Sequence, residues 1–120
     1  MYTLGIIEES LVEKNALDKL KPYLFSQRLE EVLTDEYPLW HVNEYHVPRK
    51  EIEEFLPILT ESVKYNYYIH AFSDEDLIII LNKRYFRISR EKDHSWDAMI
   101  EYGVSIGVER HYLESVPLSV

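Results

Sequence analysis

Three of the five histidines fall in two short stretches, HVNEYH at 41–46, where Glu44 stands between two of them, and NYYIHAF at 66–72. In the first, His41, Glu44 and His46 are residue types that ligate zinc. On a strand side chains alternate, so Glu44 and His46 share one face and His41 lies on the other. On a helix His41 and Glu44 would meet and His46 would turn away. Zinc motifs of real specificity set two histidines four apart on a helix. This stretch lacks that spacing and reads as a structural strand, with no metal expected. In the second stretch, Tyr68, His70 and Phe72 share one strand face and Tyr67, Ile69 and Ala71 the other. A histidine among aromatics on a sheet face can act as general acid or base, because its unperturbed pKa of about 6.5 lies near neutrality. Tyr68 beside it can hydrogen-bond a substrate. The competing reading is an ordinary core histidine satisfied by a neighbour. A catalytic set, if present, is expected to be His70 with Tyr68, or with Glu44 or His46 from a neighbouring strand.

Residues 83–92 (KRYFRISREK) place Lys83, Arg84, Arg87, Arg90 and Lys92 against a single Glu91 in a chain of net charge −9. Arg84, Arg87 and Arg90 can receive an anionic ligand. Alternatively the strip is a hairpin whose cations pair with the protein's own carboxylates and discourage edge pairing. Glu8 and Glu9 are adjacent on a strand and point opposite ways, so they are no catalytic pair by spacing. Gly103-x-x-x-Gly107 reads as close helix packing followed by a C-terminal cap. There is no P-loop, no G-x-G-x-x-G and no G-x-S-x-G, and no cofactor is expected.

The elements that must position these residues follow from periodicity. Tyr2–Glu8 reads as a first strand, and Ser10 as the N-cap of a loosely helical stretch that Pro22 ends. Residues 24–33 are ambiguous: Phe25, Leu29, Val32 and Leu33 fall at helical spacing, yet the turn-rich TDEYP and a clear strand at 39–46 favour a hairpin. Pro48 opens the best helix, with Ile52, Phe55, Leu56, Leu59 and Val63 on one stripe and Pro57 expected to kink it. A meander follows over 66–72, 76–81 and 85–89. Its middle strand, Leu77–Ile80, has no polar face and is expected to be covered on both sides. Asn82-Lys83 makes its second turn, with Asn tolerating a positive φ. A last helix starts near Ser95 and ends at Gly107, and a short turn at 109–114 precedes the tail.

The order β-α-β-β-α-β-β-β-α predicts an α+β fold with a largely antiparallel sheet and helices on one face. Its first six elements match a split βαβ, or ferredoxin-like, arrangement with a hairpin and helix appended. At 120 residues, 46% of them hydrophobic, the chain reads as one domain able to bury a core unaided. The absence of cysteine rules out disulfide, thiolate-zinc and cysteine-nucleophile chemistry and fits a reducing compartment. The opening MYTLGIIEES has no basic n-region, and Leu77–Leu81 is far short of the roughly 20 apolar residues of a membrane span. A cytoplasmic protein with no membrane and no nucleic-acid partner is expected, since nucleic-acid binders present basic patches.

The stretches GIIEES (5–10), YYIHAF (67–72), DLIIIL (76–81), KRYFRIS (83–89) and SWDAMIEYGVSIGV (95–108) resemble a group of small uncharacterised prokaryotic proteins. The resemblance implies a single domain in a prokaryotic cytosol and transfers no functional residue. The sequence is read as a small non-enzymatic binding or protein-interaction domain. Ten tyrosines, a type enriched at interfaces, favour a homo-oligomer, a dimer, with a small molecule or protein as further partner. The alternative is a small acid/base enzyme with its pocket around His70.

Overall fold

The structure, a computed structural model, describes residues 1–120. Six strands, β1 (Tyr2–Ile7), β2 (Leu24–Glu31), β3 (Leu39–Val47), β4 (Ile69–Phe72), β5 (Leu77–Leu81) and β6 (Arg84–Ile88), form one sheet in the order β2-β3-β1-β4-β5-β6. Every neighbouring pair is antiparallel. The helices are α1 (Asn15–Leu20), α2 (Ile52–Ser62), α3 (Asp97–Ser105) and α4 (Arg110–Glu114). The α+β reading holds, and the first four strands take the 2-3-1-4 order of a split βαβ unit. β5 and β6 extend the sheet beyond β4. Residues 24–31 form a strand: pairing with β3 from Leu24 to Glu31 outweighs the helical spacing of Phe25 and Leu29.

Helices cover both faces of the sheet, not one. On the first face, Tyr2, Leu4 and Ile6 of β1 pack with Tyr45, Val47, Ile69, Ala71, Ile78 and Ile80, and α1 and α2 close over them. The stripe predicted for α2 is buried along its length. On the second face, Leu77, Ile79, Leu81 and Ile88 meet Trp96, Met99 and Ile100, with Leu113 of α4 beside them. All five residues of β5 are therefore enclosed, as the missing polar face predicts. The cause of the two-sided cover is that period-2 alternation sends Ile78 and Ile80 to one face and Ile79 and Leu81 to the other, so each face needs its own layer.

Local departures have local causes. Ser10 caps no helix: it is buried in a 3₁₀ turn and donates to the Ile7 carbonyl at 2.6 Å, and α1 begins only at Asn15. α2 begins at Ile52 because the Pro48 carbonyl closes a separate turn with the Glu51 and Ile52 amides. In the β5–β6 turn the positive φ, 76°, falls on Lys83, while Asn82 donates its side-chain amide to the Val63 carbonyl. Gly107, at φ 104°, ends α3 as expected. Val108 N–H reaches Gly103 O and Gly107 N–H reaches Val104 O, a Schellman closure that satisfies two terminal carbonyls.

Candidate functional site

The second-face cluster draws on β5 and β6 but on nothing from β1, β2 or β3. On that face the first three strands carry no helix, and a pocket of about 300 Å³ lies there. Its floor is Gly5 and Ile7 of β1, Val42 of β3, and Tyr68 and His70 at β4. Arg28 and Glu30 of β2, the 32–35 loop with Trp40, Tyr112 of α4, and Pro117, Ser119 and Val120 of the C-terminal segment form the rim.

Gly5 makes room for this arrangement. A Cβ at that position would stand 3.0 Å from both His70 Cε1 and Val120 Cγ2. His70 is half-buried and stacks on Phe72, with ring centroids 5.7 Å apart. Its Nε2 lies 3.2 Å from the Ser119 carbonyl, and burial holds the ring below its ordinary pKa. A carbonyl only accepts, so Nε2 carries the proton and Nδ1 is a bare acceptor. The Tyr68 hydroxyl is pushed up to about 12 by burial, with the neighbouring Tyr112 adding to the shift.

Asp35 ties the rim to the body. Its Oδ2 accepts from the Tyr67 hydroxyl (2.7 Å), the Tyr37 amide (3.0 Å) and Trp40 Nε1 (3.2 Å). Burial pushes this carboxyl up, but those hydrogen bonds and the nearby Lys64 charge outweigh it and hold the group below its ordinary value.

The candidates read from the sequence are partly brought together. Tyr68 and His70 share the pocket floor. Glu44 and His46 share the same sheet face, joined at 2.7 Å, with Phe25 stacked on His46, but neither lines the pocket. Glu44 and His70 each pair with Gly5, so one row holds both with the glycine between them. His41 points the other way, to Glu9 at 2.7 Å. The three arginines do not converge. Arg84 lies over the Phe86 and Tyr102 rings, Arg87 pairs with Glu53 and Asp76, and Arg90 reaches the Asp74 carbonyl. Lys83 and Lys92 pair with Glu61 of α2 and Glu114 of α4, carboxylates of the protein outside the hairpin. Asp35, Trp40 and the C-terminal segment went unnoticed in the sequence, because only tertiary folding joins a turn, a strand end and a tail; the tryptophan beside a polar turn was the available signal.

The edge strand β2 is the other exposed feature. Each of its eight residues is exposed, Phe25 and Leu29 to 64% and 60%. No family model, no curated protein and no solved structure matches this chain significantly.

Proposed function

We propose that this protein is a non-enzymatic interaction domain that forms a homodimer by joining two copies edge to edge along β2. The observation that carries this reading is the eight-residue exposed edge. A long edge with open backbone donors and acceptors is a template for another strand. The opposite edge, β6, is shorter, and its two charges, Arg84 and Arg87, are of one sign, whereas β2 carries both signs and can meet a second copy of itself.

The side chains of β2 are self-complementary. In an antiparallel two-fold pair centred on Leu29, the two Leu29 side chains meet, Arg28 faces Glu30 of the second copy, and Gln27 faces its Glu31. Centring on Arg28 would oppose like charges. Tyrosine content lends less support than composition suggested. The Tyr2, Tyr23, Tyr67 and Tyr102 hydroxyls are spent on internal partners: Asp76, Glu51, Asp35 and the Asn82 carbonyl.

The acid/base alternative has less behind it, since the His70 ring nitrogen is held by a carbonyl and no carboxylate hydrogen-bonds to it. The cysteine-free composition supports a cytoplasmic setting, and no helix is long and apolar enough to cross a membrane. The paired arginines and acidic balance support a partner other than nucleic acid. Light scattering across the micromolar range tests the reading: a dimer mass supports it, and a strictly monomeric mass overturns it.

A further inference from the structure

We propose that the pocket over Gly5 is a binding site for a small, flat, uncharged molecule that carries a hydrogen-bond donor beside an acceptor. The site shares Arg28 and Glu30 of its rim with the β2 edge, but its floor over Gly5 does not depend on the edge contact.

Three observations define the ligand. First, two polar groups of the pocket floor have no partner within the protein. The Tyr68 hydroxyl makes no hydrogen bond, and His70 Nδ1 is bare because the Ser119 carbonyl fixes the proton on Nε2. No fully enclosed side-chain nitrogen or oxygen in the protein lacks a partner, so neither atom is fully enclosed. A donor for Nδ1 and an acceptor for the hydroxyl would complete them. Second, the charges at the rim are already matched. Arg28 stands 3.4 Å from Glu30, and Asp35 takes three hydrogen bonds and has the Lys64 charge nearby. A charged ligand would shed water and find no unmatched counter-charge. Third, flat apolar surface forms much of the lining, the rings of Trp40, Tyr68 and Tyr112 with Val42 and Pro117, beside the polar side chains of Thr34 and Asn66. A volume of about 300 Å³ is at the small end of ligand sites and suits a fused bicyclic ring.

The burial that raises the Tyr68 hydroxyl and lowers the His70 ring agrees with this, because both groups stay neutral through the physiological range. An apolar pocket with a few convergent polar groups is the usual form of a small-molecule site.

The probes are three neutral bicyclic lactams or ureas, 2-quinolinone, 1-isoquinolinone and benzimidazolone, with quinoline-2-carboxylate as anionic control. Amide chemical shifts of the ¹⁵N-labelled full chain are followed during titration. At least one neutral probe is expected to bind with submillimolar affinity, moving the amides of Gly5, Tyr68, His70 and Tyr112, while the anion binds at least tenfold more weakly. Tyr68→Phe removes only an unpartnered hydroxyl, so it should keep the wild-type Tm and weaken the neutral probe about tenfold. Binding of none of the three probes would overturn the proposal. So would shifts centred away from Gly5, equal binding of the anion, or undiminished binding by Tyr68→Phe. The oligomeric mass does not enter these outcomes, so failure here leaves the dimer reading standing, and the converse holds.

Discussion

His70 Nε2 donates to the Ser119 carbonyl, 3.2 Å away, and this contact joins the C-terminal segment to the centre of the sheet. The two residues are 49 positions apart in the chain. The contact fixes the imidazole tautomer and leaves Nδ1 without a partner, and Val120 lies beside it over Gly5.

Burial of the His70 ring, which the Ser119 hydrogen bond only partly offsets, makes stability depend on pH in a defined direction. Burial lowers the folded pKa of His70 below its unfolded value of about 6.5. The folded chain then binds fewer protons than the unfolded one, so stability rises with pH through this window and is lost as pH falls below about 6.5. Denaturant titrations at pH 5 and pH 7 are expected to show a smaller difference for His70→Gln than for wild type. At pH 7 the variant should be about 1 kcal/mol less stable, for lost stacking on Phe72. An equal pH dependence in both proteins would mean that His70 is not held neutral.

Asp35→Ala should be among the costlier substitutions outside the core. It strips the acceptor from the Tyr37 amide, Trp40 Nε1 and the Tyr67 hydroxyl together, a loss of about 1–3 kcal/mol. A red shift of tryptophan emission should accompany it as Trp40 loosens. Because the Asp35 carboxyl sits below its ordinary value, its contribution is present above about pH 4 and fades as pH falls through the folded pKa. The wild-type advantage over Asp35→Ala should therefore shrink in acid.

Amides of Leu77–Leu81 should be among the slowest in the protein to exchange hydrogen, since β5 is paired on both edges and covered on both faces. Rates there comparable to those of the chain ends would contradict the sheet order.

Much of this architecture was legible in residue periodicity. The stripe Ile52–Phe55–Leu56–Leu59–Val63 and the unbroken run Leu77–Leu81 announce their own burial, and alternation alone puts Glu44 and His46 on one face. Helical cover on both faces was not legible as such, although Ile79 facing away from Ile78 contains it. Residues 24–31 show why spacing can mislead: on an edge strand Phe25 and Leu29 stay exposed, so their helical separation reflects no buried stripe. The pocket was legible only at Tyr68 and His70. Asp35, Trp40 and Ser119 join it through contacts that no local pattern encodes.

The central claim, pairing of two copies along β2, is tested most directly by charge exchange at Arg28 and Glu30. Arg28→Glu and Glu30→Arg each place like charges opposite one another at two symmetry-related positions. Either variant alone should raise the dimer dissociation constant about tenfold, from roughly 0.7 kcal/mol at each of two contacts. Mixed in equal amounts, the two variants restore opposite charges at both positions, and light scattering should report a heterodimer near wild-type affinity. A mixture that stays as monomeric as its components, or single variants that dimerise like wild type, would contradict the account.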